Sequence, residues 1–226
     1  MTPQIAPMPP HPTTDPGAGA HGSQRILSRF DDLMYFRFAW DAQLVADFAG
    51  LHNAARGMRH YLGNSGDDMW IDPTEVMKDV PSVKKYIDFL ITDKIVTLSK
   101  DPTNHNKPIE LFVDWADFAI SQEECEDWFL GMAAVEISVT GVVTITPSSG
   151  AQPHILMEYV VHMFDRYNWD GTKSTVIQGV KVTDAQLGSL HTAGLAKEFN
   201  QFGSSWIYKF EGDLPQEGDI NLPPNR

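Results

Sequence analysis

The hydrophobic pattern of this chain changes period near its middle, and that change limits the fold more than any other feature of the sequence. In the first half Leu44, Val45, Phe48, Leu51, Ala55, Met58 and Leu62 recur at steps of three and four, the spacing of one helical face. Asp41 is placed to cap this helix and Gly63 to stop it, which predicts a core-facing helix ending at His60-Tyr61-Leu62-Gly63. Asp72 before Pro73, with Glu75 at the return position of a capping box, marks a second start. Pro81 breaks or restarts that helix, and Val83, Tyr86, Ile87, Leu90 and Ile91 carry its stripe to about Asp93, ahead of a polar loop from Asp101 to Pro108. Further on, the period becomes two. Val135, Ile137 and Val139 alternate with Glu136 and Ser138, and Thr140-Gly141 separates them from Val142 to Ile145, which reads as a β-hairpin. An extended run from Ile155 to Phe164, a helix opened by Thr183 or Asp184 and reaching about Phe199, and a strand from Trp206 to Phe210 complete the pattern. Helices followed by strands make an α+β fold.

What holds such a fold is its core, because the single cysteine, Cys125, rules out an internal disulfide. Residues 1 to 22 carry six of the 15 prolines and little that is bulky and apolar, so a disordered arm is expected there, ahead of one domain over 23–226. Within that domain a helical region spans about 23–100, a β region about 109–214, and a polar tail 215–226. Thirty acidic against 17 basic residues give a net charge of −13, which disfavours nucleic acid and anionic bilayers as partners. No apolar run approaches the roughly 20 residues of a membrane span, so no transmembrane segment is expected, nor does the N-terminus show a Sec-type leader. Walker A, H-E-x-x-H and G-x-S-x-G patterns are absent from the sequence.

Chemistry-bearing residues concentrate in Asp165-Arg166-Tyr167-Asn168-Trp169-Asp170, at the end of an extended run. Two carboxylates, a phenol and an amide there can hold a hard cation and serve acid–base work; the same residues can equally satisfy a turn and cover a sheet. His191 lies at the edge of an amphipathic helix, as a half-buried structural histidine or as a general acid or base if Asp165 is close. His60 suits helix capping or a supporting role, while His154 and His162, about 26 Å apart along a straight strand, are not a metal pair. Cys125, among Glu123, Glu124, Glu126 and Asp127, is a poor nucleophile because negative neighbours suppress its thiolate.

The order of these features resembles the activity domain of colicin M and its bacteriocin relatives. His60-Tyr61-Leu62 with Gly63 and Gly66, the segment Met132 to Ile145, Asp165-Arg166-Tyr167-Asn168-Trp169, His191, and Gly203 to Leu214 carry the resemblance over about 160 residues. It implies a helical N-terminal half packed on an open antiparallel, barrel-like sheet. It also implies hydrolysis of the undecaprenyl-phosphate side of lipid II in the target periplasm, with Mg²⁺. By that resemblance Asp165 and Tyr167 match the signature, Asn168 stands where a second aspartate is usual, and His191 is followed by Thr192 in place of an arginine. Asp170 is then the candidate replacement carboxylate, with Asp165 and Asp170 holding the metal and Lys173 or Lys197 meeting the phosphate. The implied setting is an antibacterial toxin delivered by a contact-dependent route such as type VI secretion, with an immunity protein as partner. The alternatives are a phosphodiesterase with another substrate, or a non-catalytic interaction or membrane-perturbing effector on the same scaffold.

Overall fold

The computed structural model describes residues 3–14, 16–24, 30–149, 152–169, 174–177 and 180–215. The helices are α1 (Phe30–Phe48), α2 (His52–Leu62), α3 (Pro73–Asp79), α4 (Pro81–Ser99), α5 (Glu126–Met132) and α6 (Asp184–Thr192). The strands are β1 (Met69–Trp70), β2 (Pro108–Ala119), β3 (Ala134–Thr146), β4 (His154–Tyr167), β5 (Ser174–Ile177), β6 (Val180–Thr183), β7 (Phe199–Ser204) and β8 (Tyr208–Asp213). The α+β class is as the sequence implies.

The long strand β4 organises the sheet. One of its edges pairs antiparallel with β3, and β3 in turn pairs with β2. The other edge is shared: β8 pairs with residues 154–159 and β7 with residues 162–167. Ser205 bridges the gap, its N–H donating to the Val161 carbonyl at 2.9 Å and its Oγ accepting from the Val161 N–H at 3.0 Å. β1 adds to β7 in parallel, so the six-stranded sheet is mixed. It is open, as expected, but it is not closed into a barrel, and the parallel β1–β7 pair departs from the all-antiparallel expectation. β5 and β6 form a separate two-stranded ribbon.

Strand alternation decides which face is core. Val135, Ile137 and Val139 of β3 and Met157, Val161 and Met163 of β4 are buried in one cluster with Val83, Ile87, Ile91 and Ile95 of α4. Each such side chain contributes roughly 1.5–3 kcal/mol on burial. The expected turn at Thr140-Gly141 does not form, because β3 runs on unbroken to Thr146. Gly141 serves close approach instead: a Cβ there would stand 2.6 Å from the Glu158 carbonyl oxygen and 2.9 Å from Tyr159 Cβ. The hairpin partner of β3 is therefore β4.

The helix expected to run through Phe48 to Leu62 is two helices, and the chain turns between them where Leu51 N–H donates to the Ala46 carbonyl at 2.9 Å. α1 faces inward with Asp32, Ala39, Gln43 and Ala46, whereas Leu44, Val45 and Phe48 point outward, contrary to their expected place in the core. α2 has no capping side chain of its own at Leu51. Asp127 of α5 supplies it from across the fold, accepting from the Asn53 N–H at 3.0 Å and the Ala54 N–H at 2.8 Å. A second cluster, with Tyr61, Tyr167, Leu187, Leu190 and Phe199, joins α2, α6 and β7 to the end of β4. Asp72 caps α3, α4 starts at Pro81 and α6 opens behind Thr183, all as the sequence implies; the capping box forms at Thr183 with Gln186. α6, however, ends at Thr192, and Phe199 opens β7.

The N-terminal arm, expected to be disordered for want of apolar side chains, is held chiefly through its backbone. The Ala6 carbonyl accepts from Thr140 Oγ1 at 2.8 Å and the Pro10 carbonyl from Trp115 Nε1 at 2.8 Å. The His11 ring lies 4.6 Å from that of Phe164 and 4.4 Å from that of Phe202. Gly17, at φ +58°, passes so close to the Glu198 carboxylate that a Cβ would overlap it. No helix among the described residues is long and apolar enough to cross a membrane.

Candidate functional site

A cavity of about 520 Å³ opens at the C-terminal end of β4, enclosed by α1, α2, the turn from α5 into β3, and Thr13 and Thr14 of the arm. That volume is within the range of small-molecule sites, roughly 300–1,000 Å³. Asp165, Tyr167 and Asn168 lie in its wall, so three of the residues singled out in the sequence share one space. Local structure explains their placement: β4 pairs with β7 as far as Tyr167↔Phe199, and the chain then leaves the sheet.

Each group is held. Asp165 Oδ2 accepts a 2.6 Å hydrogen bond from Gln201 Nε2, and the same amide donates to the Gly131 carbonyl at 2.9 Å. Tyr167 stacks on Phe199 with ring centroids 4.8 Å apart and meets Trp169 edge-on at 5.4 Å. Burial, and after it the Asp165 carboxylate, push the Tyr167 phenol well above its ordinary range, so it stays protonated. The wall also carries Asp117, Glu136 and Asp184. Asp117 and Glu136 face each other across β2 and β3, and burial followed by the Asp117 charge raises the Glu136 carboxyl.

Positive charge is scarce by comparison. Arg166 lines the cavity, yet its Nη1 donates to Asn200 Oδ1 at 3.1 Å and its Nη2 lies 3.9 Å from Glu198 Oε2. Lys197 is not in the cavity wall; its Nζ donates to the Ser65 carbonyl at 3.1 Å. Lys173 and Asp170 lie outside the described residues. Among the described residues no group of three or more His, Cys, Asp or Glu side chains is placed to hold a metal ion. Asp165 Oδ2 is turned to the Gln201 amide, and its expected metal-binding partner Asp170 lies outside the described residues.

His191 does not join the cavity wall. It is buried in α6, and both ring nitrogens are engaged: Nδ1 accepts from the Glu198 backbone N–H at 3.0 Å, which places the neutral ring's proton on Nε2, donating to the Gly19 carbonyl at 3.0 Å. Burial lowers its pKa, against the opposing pull of Glu198. A base needs a free lone pair, and here a backbone amide already uses it. Of the two roles the sequence leaves open, these contacts match the structural one, with the imidazole clasping α6, the residue before β7 and the arm. The clasp is reinforced by Gly22 and Gln24, whose N–H groups donate to the carbonyls of His191 at 3.1 Å and Thr192 at 2.8 Å.

Glu198 is the residue that sequence reasoning misses. It is 2% exposed, and its Oε1 accepts from the backbone N–H groups of Ala18 and Trp169, each at 3.0 Å, tying the arm to the strand end. Nothing in Ala196-Lys197-Glu198-Phe199 distinguishes it from a solvated charge. Gln43 and Trp169, both in the cavity wall, hold buried polar atoms without a partner: the whole Gln43 amide and Trp169 Nε1. His60 Nε2 donates to the Asp67 carbonyl at 2.7 Å, and its ring meets Phe199 edge-on.

No family model matches the chain, and no curated protein or solved structure matches it.

Proposed function

We propose that the protein acts as an interaction module that binds a small, largely apolar molecule with a cationic, hydrogen-bond-donating head in the cavity at the end of β4. The observation that carries this reading is the charge of the wall. Among the described residues, Asp117, Glu136, Asp165 and Asp184 stand against Arg166 alone, and that guanidinium faces Glu198. Such a wall favours an ammonium or guanidinium group and disfavours a phosphate, whose transition state for transfer needs positive charge on its oxygens. The alanines and Met58 of α1 and α2 offer the apolar contact.

Calorimetric titration with decylamine and with decyl phosphate, which share a chain and differ in the sign of the head group, tests the proposal. Decylamine binds, Asp165→Asn weakens it about tenfold, roughly one lost charge contact, and decyl phosphate gives no heat. Preference for decyl phosphate would overturn it.

A second reading keeps the resemblance to colicin M: an antibacterial effector that hydrolyses lipid II, with an immunity protein as partner. Its support is the common placement of Asp165, Tyr167 and Asn168 in one wall. Turnover of purified lipid II, abolished by EDTA and by Asp165→Ala, together with killing only after periplasmic targeting, would establish it. Intact lipid II after prolonged incubation removes it.

A further inference from the structure

We infer that α1 is a self-association helix, and that two copies of this chain pair antiparallel through its outer face. The helix is apolar on both sides: its inward side packs Ala39, Ala46, Tyr35, Phe36 and Trp40 beside the buried Asp32 and Gln43, while Phe30 is 88% and Phe48 93% exposed, and Leu33, Met34, Leu44 and Val45 are exposed between them. At 100° per residue these side chains and Phe38 fall within one arc of about 140°. Taking roughly 200 Å² for a large apolar side chain, they present on the order of 800 Å², as much as one partner gives a standard interface.

The occupant is identified by the symmetry of the helix itself. An isologous contact brings the same patch together about a two-fold axis. With that axis at Ala39, Phe30 meets Phe48 of the second copy, Leu33 meets Val45, and Met34 meets Leu44. Arg37 then meets Asp41, so the two charges in the middle of the apolar arc are paired across the axis, twice. Within one copy the same two side chains are 3.5 Å apart, highly exposed, and free to turn toward the second copy. A parallel arrangement would set arginine against arginine and aspartate against aspartate. An anionic membrane surface is the poorer occupant, because α1 carries Asp31, Asp32, Asp41 and Asp47 against Arg37 on a chain of net charge −13. The cavity, whose wall takes Gln43 and Ala46 from the opposite side of α1, stays clear of the contact.

Sedimentation velocity of the full chain, from about 1 to about 100 μM, reads the association directly. The mass rises toward twice 25.2 kDa with concentration. Val45→Glu, at an exposed position, abolishes the rise while circular dichroism and the melting temperature stay near those of the parent. Arg37→Asp alone and Asp41→Arg alone each weaken association about tenfold by placing like charges opposite, and the double exchange restores it. A chain that remains monomeric throughout overturns the inference, as does a dimer indifferent to Val45→Glu or to the charge exchange. Flotation with phosphatidylcholine–phosphatidylglycerol vesicles without self-association also overturns it, assigning the face to lipid.

Discussion

His162 of β4 is the residue whose protonation should be most visible in the stability of this protein. It is 2% exposed, on the sheet face crossed by the arm. Thr140 Oγ1 donates to the Ala6 carbonyl at 2.8 Å, so it accepts the Nε2–H of His162 at 2.9 Å, which leaves Nδ1 to accept from Ser204 Oγ at 2.8 Å. The neutral ring is fully satisfied, and burial lowers its pKa from 6.5 to about 4. Because the folded value is depressed, the unfolded chain takes up the proton first. The stability is therefore complete above pH 6.5 and is lost as pH falls toward 4. Between about pH 7.5 and about pH 5 the loss is about 2 kcal/mol, from the ratio of the two titration curves. Asp88 works in the opposite sense, since burial outweighs its 2.7 Å contact with Lys84 and raises its carboxyl to about 6, so it gains stability over the same interval. A comparison of variants removes that interference. Urea unfolding of the parent and of His162→Gln at both pH values gives two differences, in which Asp88 and His191 contribute alike. The parent should lose about 2 kcal/mol more than the variant over this interval. Equal losses in the two proteins would refute the assignment of a neutral, buried His162.

Three further outcomes follow from the packing. Asp127→Ala uncaps α2 from a distance and lowers stability by about 1–2 kcal/mol in the same urea assay, an effect that Asp127→Asn should partly spare. Gln43→Leu removes a buried amide without partners and raises the unfolding free energy by about 1 kcal/mol, read as a higher melting temperature. Gly141→Ala forces β4 away from β3 and costs about 1–3 kcal/mol; an unchanged melting temperature would show that the strands do not approach so closely.

The elements that could be read from the sequence are those where local chemistry and tertiary packing agree. α4 is one: Pro81 sets its start and Val83, Ile87 and Ile91 of the expected stripe lie on its buried face, although the helix continues past Asp93 to Ser99. α1 shows the limit of periodicity, which reveals that a helix has an apolar side but not that this side meets the core. β2 escaped notice because a register shift between Val113 and Ala116 disrupts its alternation. In the candidate site, Asp165, Tyr167 and Asn168 stand out because they crowd at a strand end, and they do share a cavity. The failure of His191 to join them depends on the backbone amide of Glu198, just past its own helix, and on the carbonyl of Gly19 in the distant arm, backbone partners that no side-chain motif encodes. The arm likewise defeats composition, because it is fastened by its own peptide groups, which every sequence possesses.

The division of one edge of β4 between β8 and β7 bears on synthesis as well as on shape. Emerging from the ribosome, β3 and β4 can pair at once, but the far edge of β4 keeps its peptide groups unmatched until residues 199–213 have been made. For that interval the nascent protein offers a long, apolar strand border to any neighbouring polypeptide, a known route to misassembly. Ribosome stalling or premature termination before Tyr208 should therefore yield aggregates captured by chaperones, whereas release after Asp213 yields a sheet with that border closed.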